Sequence, residues 1–265
     1  MKRILITGGP TNEYIDEVMK ITNMSTGRLS VNLTKYFADR GYEVTLVCTR
    51  SVARSGLYYE KELANNPLVK TIQIETTQQM LSTLADESTS GKAYDLIVHA
   101  SAVGDYKADF SFRMEDMALE IAKTLYSAYL TRNYITLDDL RVSILNILTN
   151  PDCKVNDDTK ISSYEPNLTV KLGLTPKIIS NLRNWYPTAK LVGFKLLENV
   201  TRDHIIEVAQ KLCNKNDMNY IIANDLHDLR QGNHISYLVN KNGYADVDFH
   251  SPEDIAKQLE IILGE

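Results

Sequence analysis

The alternation of short apolar runs with amphipathic segments over the first 100 residues restricts the possible folds of this chain more than any other feature. Residues 4–7 (ILIT) form an apolar run closed by a Gly-Gly-Pro turn at 8–10, a pattern typical of a buried strand entering a turn. Similar runs follow at 43–48, 69–75 and 94–100, and the intervening residues 26–40 and 78–87 have helical apolar spacing. Strands and helices alternating at these lengths favour right-handed βαβ crossovers and a parallel sheet.

The middle of the chain departs from this alternation. Residues 114–148 have the apolar spacing of two consecutive helices, and residues 162–174 end in the alternating run LTVKLGL, which predicts a strand arm. The earlier pattern resumes with a helix predicted at 176–185, and an Asn-Gly turn within 235–249 predicts an antiparallel hairpin. We therefore predict a single domain over residues 1–265 with a helical insertion at about 114–148. Its fold class is α/β: a Rossmann-like, mostly parallel sheet with helices on both faces, plus a small antiparallel hairpin or arm.

The composition excludes several classes of partner. With 29 basic and 34 acidic residues the net charge is −5, which argues against binding to nucleic acid or to an anionic membrane surface. No apolar stretch approaches the roughly 20 residues that a membrane helix needs, and the N-terminal apolar run, which predicts the first strand, is too short for the apolar region of a signal peptide. The three cysteines form no C-x-x-C pair and the histidines show no metal-ligand spacing, so we expect a cytoplasmic protein without a protein-built metal site.

The predicted strands also indicate where a ligand binds. In an open α/β sheet, ligands bind outside the carboxyl ends of the strands. Four strands end at residues 8–11, 100–105, 193–195 and 223–225, and we expect these loops to form one crevice. The Gly8-Gly9 turn and the helix start from Ser25 to Gly27 offer backbone N–H groups that suit a phosphate. The same residues also fit a tight turn and a helix cap without any ligand.

Common nucleotide-binding and catalytic motifs do not fit this region. Seventeen residues separate Gly9 from Gly27, so there is no G-x-G-x-x-G fingerprint, and no Gly-Lys-Ser/Thr of a P-loop follows. Tyr-x-x-x-Lys pairs occur at 186/190 and 237/241, but neither is on a predicted helix. A Rossmann-type NAD(P)-dependent oxidoreductase is therefore disfavoured and remains the alternative from another class.

Seven motifs taken together resemble one known family. GGPTNEYID, ITNMSTGRLS, SAVGDYK, KISS, VKLGLTPKII, GFKLLENV and KNDMNYIIANDL occur here in the order found in phosphopantothenate–cysteine ligases. The resemblance extends from residue 4 to the final helix, except for about 114–148, and is to the stand-alone bacterial type without the decarboxylase domain.

The resemblance implies a reaction with two halves. The carboxylate of 4'-phosphopantothenate attacks a nucleoside triphosphate, giving an acyl-nucleotide and pyrophosphate. The amine of L-cysteine then displaces the nucleotide to form phosphopantothenoylcysteine, a step of coenzyme A biosynthesis. It further implies CTP or ATP as cosubstrate, a choice the sequence leaves open, together with Mg²⁺ and a homodimer.

The resemblance also assigns roles to individual residues. It implies that Asn23 and Lys171 are catalytic, although they also fit an ordinary turn residue and a solvated strand lysine. The implied nucleotide-binding residues are Gly8, Gly9, Ser25, Gly27, Phe194, Lys215 and Asn224. The implied substrate-binding residues are Ser101, Ala102, Asp105 and Lys20.

Three positions depart from the pattern of the family. Met19 stands where the family has an arginine that reaches the substrate phosphate, and the neighbouring Lys20 cannot reproduce a bidentate fork. Ser30 replaces a glycine, which predicts a looser approach of the backbone to the phosphates, and Asn219 replaces an aspartate. These departures leave a catalytically impaired nucleotide-binding relative as a further alternative.

Overall fold

The computed structural model describes residues 1–131, 136–155, 160–233 and 235–264. The chain divides into two compact units, of which the first contains Met1–Asn12, Thr22–Gly104 and Pro176–Glu265, and the second contains Glu13–Ile21 and Asp105–Thr175. Part of the predicted insertion, residues 132–135, lies outside the described residues. The single domain over 1–265 stays a prediction, and each unit is described by itself.

The strands, in chain order, are β1 (Arg3–Gly8), β2 (Asn12–Tyr14), β3 (Lys20–Thr22), β4 (Glu43–Thr49), β5 (Val69–Ile74), β6 (Leu96–His99), β7 (Tyr106–Arg113), β8 (Lys154–Val155), β9 (Leu168–Leu174), β10 (Lys190–Leu197), β11 (Tyr220–Asp225), β12 (Ser236–Asn240) and β13 (Gly243–Phe249). The α-helices are α1 (Arg28–Asp39), α2 (Arg50–Ala53), α3 (Gly56–Glu60), α4 (Thr77–Thr89), α5 (Met114–Leu130), α6 (Leu137–Thr149), α7 (Leu182–Trp185), α8 (Arg202–Lys215), α9 (Leu226–Arg230) and α10 (Pro252–Gly264).

The first unit contains an eight-stranded sheet with the order β13-β12-β11-β10-β6-β1-β4-β5. The six strands from β11 to β5 are parallel, and β12 and β13 add the predicted antiparallel hairpin, whose ladder shifts register between Tyr237 and Val239. Numbered among themselves, the parallel strands have the order 3-2-1-4-5-6 of a Rossmann sheet, which reverses between β1 and β6. The predicted fold class is confirmed.

Side-chain alternation along the strands builds a core on each face of this sheet. On β1, Ile4 and Ile6 point into one core, which Phe37 of α1 and residues of α10 complete. Leu5 points into the other core, where α4 and α8 contribute Leu84, Ala209 and their neighbours. Because successive side chains of a strand face opposite ways, fully apolar strands need helices on both faces.

The helix predicted at 176–185 is wrong in extent. The chain forms a 3-10 turn at Ile178–Asn181 and then the single turn of α7. Pro187 cannot extend a helix, and the Arg183 guanidinium donates to the carbonyl oxygens of Pro187 and Ala189, which directs the chain toward β10.

In the second unit, β7 is the central strand of a three-stranded antiparallel sheet with the order β8-β7-β9. The strand β9 is the predicted arm, and α5 and α6 are the two helices predicted in the insertion. The strand β7 was not predicted, because its ladder with β9 shifts register between Ala108 and Phe110 and this interrupts its side-chain alternation. Within the described ranges, no helix is long and apolar enough to span a membrane.

Candidate functional site

Four loops meet at one edge of the large sheet because β1, β6, β10 and β11 are neighbouring parallel strands. At this edge lie the Gly8-Gly9 turn, Ser101 and Ala102 after β6, and Asn224 near the end of β11. The order of the strands reverses between β1 and β6, and a ligand crevice is expected at such a switch point.

The turn after β1 packs directly against the start of α1. Gly9 and Gly27 both have left-handed backbones, with φ of 82° and 67°. A Cβ on either glycine would lie 2.5 Å from a methyl carbon of Val52, and one on Gly27 would also lie 3.2 Å from the Gly9 Cα. Conformation and space therefore both require glycine at these two positions.

The start of α1 lacks the strong side-chain cap that the segment from Ser25 to Gly27 could have offered. Gly27 is the N-cap residue and has no side chain to cap the helix, and the Thr26 hydroxyl accepts only a long hydrogen bond, 3.4 Å, from the Arg28 N–H. The Ser25 hydroxyl accepts only a long hydrogen bond, 3.4 Å, from the Gly27 N–H. The first turn thus keeps N–H groups and a positive dipole end that suit an anion.

Ser30 is buried between α1 and the end of β1, and its effect on the approach of the backbone to a phosphate stays a prediction. It is 1% exposed, and its hydroxyl donates to the Gly27 carbonyl oxygen over 2.7 Å. A Cβ built on Gly8 would lie 1.8 Å from the Ser30 Oγ, so the serine fills the space above Gly8 and packs α1 onto β1.

Residues 101–104, here called the 101–104 segment, follow β6 and are fixed by the backbone and side chains around β1. The hydrogen bonds are Ser101 N–H to Thr7 Oγ1 (3.3 Å), Ala102 N–H to Gly9 O (3.0 Å), Thr11 N–H to Ala102 O (3.3 Å) and Gly104 N–H to Thr11 Oγ1 (2.8 Å). The Ser101 hydroxyl is buried and has no hydrogen-bond partner among the described residues.

Asn23 is attached to the same segment. Its Nδ2 donates to the carbonyl oxygens of Ala102 and Val103, each over 3.1 Å. Both amide protons of the side chain are therefore used, and its Oδ1 remains as an acceptor for an N–H or O–H group. The predicted catalytic asparagine and the predicted substrate loop are in direct contact.

The other nucleotide-site candidates in this unit are placed differently. Phe194 lies within β10 rather than after it, and its half-buried ring packs against the core that contains Phe37. Lys215 is the last residue of α8, which connects the carboxyl end of β10 to the amino end of β11. Because such a crossover helix runs antiparallel to its strands, Lys215 lies at the opposite edge of the sheet from Gly8 and Ser101.

Three candidates belong to the second unit. Lys20 is exposed on β3, and Asp105 is exposed just before β7. On β9, the Lys171 Nζ is 2.8 Å from the Asp109 carboxylate and 5.3 Å from the centre of the Phe110 ring. Lys171 is thus paired with a carboxylate rather than fully solvated.

Two buried polar residues at the β1–β6 switch point were not singled out from the sequence. Thr7 and His99 are directly opposite each other, and the Thr7 Oγ1 is 2.8 Å from the His99 Nδ1. Burial lowers the pKa of the His99 imidazole to about 4. Their signal in the sequence is a polar residue near the end of an otherwise apolar strand.

A third missed residue is Asp225, at the end of β11. Its carboxylate accepts hydrogen bonds from the N–H groups of Val200, Asn199 and His227, and these lower its pKa. It thereby fixes the loop after β10. In the described part of the chain, no group of three or more His, Cys, Asp or Glu side chains is arranged to hold a metal ion.

Comparison with known proteins relates this chain and its fold to a family. Residues 1–117 match the sequence profile of the DNA/pantothenate metabolism flavoprotein C-terminal domain. The coenzyme A biosynthesis bifunctional protein CoaBC of Thermococcus kodakarensis is 30% identical over 225 residues, which make up 85% of this chain and 41% of that protein. The chain belongs to this family. It spans about two fifths of the length of that curated relative.

Solved structures agree with membership of the DNA/pantothenate metabolism flavoprotein family. The family protein from Streptococcus pneumoniae superimposes with a TM-score of 0.74 at 29% identity, covering 100% of this chain and 99% of that chain. The C-terminal domain of a CoaBC protein has the same fold, with a TM-score of 0.60 at 22% identity over 99% of this chain and 94% of that one. The predicted family resemblance is confirmed.

Proposed function

We propose that this protein is a phosphopantothenate–cysteine ligase of coenzyme A biosynthesis. The observation that supports this most directly is the contact of Asn23, from the ITN motif, with the carbonyl oxygens of the 101–104 segment at the switch point of the sheet. The CoaBC relatives support the same activity by their name.

In the proposed reaction, a carboxylate oxygen of 4'-phosphopantothenate attacks the α-phosphorus of the nucleoside triphosphate, and the bond to pyrophosphate breaks. The cysteine amine then attacks the acyl carbon, loses a proton and displaces the nucleoside monophosphate. Asn23 contributes through Oδ1, which accepts an N–H of the incoming amine while Nδ2 stays on the 101–104 segment. Ser101, Ala102 and Asp105 are proposed to bind the pantothenate part.

The nucleotide is proposed to bind at the uncapped start of α1. Gly8, Gly9, Ser25 and Gly27 bring backbone N–H groups close to the phosphates, and Asn224 and Phe194 lie on the strands beside them. CTP and ATP both fit this proposal. Because the described residues form no metal cluster, Mg²⁺ would be held mainly by triphosphate oxygens and water, neutralising their charge.

Four further assignments are carried over from the sequence as proposals. Lys171 is proposed to stabilise the acyl-nucleotide step, which requires it to leave Asp109. Lys20 is proposed to bind the substrate phosphate, and the protein is proposed to be a cytoplasmic homodimer. Exposed apolar side chains on α5 and α6 support self-association, among them Tyr126, Tyr129 and Leu137. Lys215 is not included in the proposed nucleotide site because it lies at the other edge of the sheet.

The test is pyrophosphate release from CTP or ATP by the purified protein with Mg²⁺ and 4'-phosphopantothenate, with and without cysteine. We expect release that depends on phosphopantothenate, and the better nucleotide identifies the cosubstrate. Absence of release with both nucleotides in folded protein would refute the ligase proposal.

A matched pair of variants tests the role of Asn23 in this assay. Asn23→Ala should lower formation of phosphopantothenoylcysteine at least about tenfold, the equivalent of one lost hydrogen bond in the transition state. The control is Asn214→Ala, because the Asn214 Nδ2 also donates to two backbone carbonyl oxygens, those of Gln210 and Lys241, away from the site. Equal activity of the two variants would remove Asn23 from the mechanism.

A further inference from the structure

We propose that His99 is a positioning residue of this site: acting through the Thr7 hydroxyl, it fixes the backbone of the 101–104 segment on which substrate binds. The geometry is a short chain of hydrogen bonds, in which the His99 Nδ1 lies 2.8 Å from the Thr7 Oγ1 and the Ser101 N–H lies 3.3 Å from that same oxygen. The kinetic part of this proposal rests on the proposed ligase function, and the structural part does not.

The direction of each hydrogen bond follows from counting protons. The Thr7 hydroxyl has one proton, and one of its lone pairs already accepts from the Ser101 N–H. If the His99 Nδ1 carried a proton, the hydroxyl proton would need another acceptor, and the described residues offer none within hydrogen-bond distance. Thr7 therefore donates to Nδ1, and the imidazole is the neutral tautomer with its proton on Nε2.

Burial supports the neutral form. Thr7 is 0% exposed and His99 is 7% exposed, so a charged imidazole here would lose its hydration without gaining a carboxylate partner from the described residues. A neutral imidazole is a fixed acceptor for the Thr7 proton. It thereby keeps the remaining lone pairs of Oγ1 directed at the Ser101 N–H.

This arrangement matters because Ser101 is the first residue of the 101–104 segment. The segment is held at Ser101 by Thr7, at Ala102 by Gly9 and at its far end by Thr11. Asn23 then attaches to its two central carbonyl oxygens. Loss of the attachment at Ser101 loosens the end of the segment next to β6, where substrate binding is proposed, and leaves the contact of Asn23 in place.

The structural test uses nuclear magnetic resonance of the full chain and needs no substrate. We expect the imidazole nitrogen signals of His99 to show an unprotonated Nδ1 and a protonated Nε2 at neutral pH. Thr7→Val should shift the Nδ1 signal through loss of its hydrogen bond and accelerate hydrogen exchange of the Ser101 amide by roughly five- to tenfold, as expected for one lost hydrogen bond. Thr7→Ser, which keeps the hydroxyl, should restore both signals. A protonated Nδ1, or unchanged Ser101 exchange in Thr7→Val, would overturn the proposal.

The kinetic test separates positioning from a general structural effect. Thr7→Val should raise KM for phosphopantothenate by roughly five- to tenfold with kcat changed less than about twofold, and Thr7→Ser should retain the parent KM. The KM of His99→Asn, in which the amide oxygen can lie near the position of Nδ1, should be closer to the parent KM than that of His99→Leu.

Thr45→Val is the matched control for these kinetics. Thr45 is a buried strand threonine on β4 whose hydroxyl is hydrogen-bonded to the Tyr94 hydroxyl oxygen over 3.0 Å. Its variant should lose stability without a change in KM. An equal KM for Thr7→Val and Thr45→Val would contradict the positioning role in an active ligase. If no ligase activity is found, the resonance experiment still decides the structural part.

Discussion

The contact between Gly8 and Ser30 predicts a compensating pair of substitutions. Gly8 does not have a left-handed backbone, so alanine is excluded there only by space: its Cβ would lie 1.8 Å from the Ser30 Oγ and 2.3 Å from the Ser30 Cβ. We expect Gly8→Ala to destabilise the protein by about 1–3 kcal/mol, the usual cost of an overpacked core.

The single variant Ser30→Gly should also destabilise the protein, for two different reasons. It loses the hydrogen bond to the Gly27 carbonyl oxygen, which is 2.7 Å long, and a net bond of this kind contributes about 0.5–1.5 kcal/mol. Glycine in place of serine within α1 costs about 0.5 kcal/mol more. Because Ser30→Gly also removes the atoms that alanine at position 8 would strike, the double variant should be more stable than the sum of the two effects predicts. The expected coupling is about 1–3 kcal/mol.

Urea denaturation followed by circular dichroism measures this cycle. The control is Gly56→Ala, where the nearest atom to the new Cβ is 3.8 Å away and φ is not left-handed, so the change should be neutral or stabilising by up to about 1 kcal/mol. If the changes in the free energy of unfolding of the two single variants add to that of the double variant within about 0.5 kcal/mol, the steric argument is refuted. Ser30 would then not occupy the space above Gly8.

Two other features give predictions. The pKa of Asp225 is lowered chiefly by the Val200 N–H, so its carboxylate stabilises the fold above its unfolded pKa of about 3.9, and this contribution is lost as the pH falls through the lower folded pKa. The Asp225→Asn variant should therefore be less stable than the parent at pH 7 and should lose less stability on acidification. Thermal unfolding measured across pH tests this, and parallel plots of stability against pH for the two proteins would contradict the role of Asp225. Burial raises the pKa of the Cys48 thiol to about 12, so alkylation at pH 8 should modify Cys48 only after unfolding, and rapid modification of the folded protein, located by mass spectrometry, would be the contrary result.

The large sheet could be predicted because its strands are apolar on both faces. Runs such as ILIT at 4–7 and the glycine turn after it have few alternative structures, and the right-handed crossover rule reduces the number of possible strand orders once the strands are assigned. The edge of the sheet that bears Gly8, Ser101 and Asn224 could be predicted for the same reason.

Features set by particular contacts could not be predicted. The register shift near Asp109 interrupts the alternating pattern by which β7 could have been predicted. The direction of α8 places Lys215 at the other edge of the sheet from the nucleotide-binding candidates with which the motifs grouped it. The motif also could not show that Asn23 uses both amide protons on the 101–104 segment, or that Ser30 faces Gly8. Each of these depends on which atoms meet across the fold rather than on local pattern.

The β12–β13 hairpin also determines how the large sheet ends. Its outermost strand is β13, and an exposed strand edge ordinarily offers unpaired backbone groups to another chain. Here the ladder is irregular, Asp246 has a left-handed φ of 56°, and Asp248 adds a second acidic residue to the same strand. A bent edge with two carboxylates is a poor template for a further strand. We therefore expect this edge to resist pairing with a strand of another molecule, even at high protein concentration.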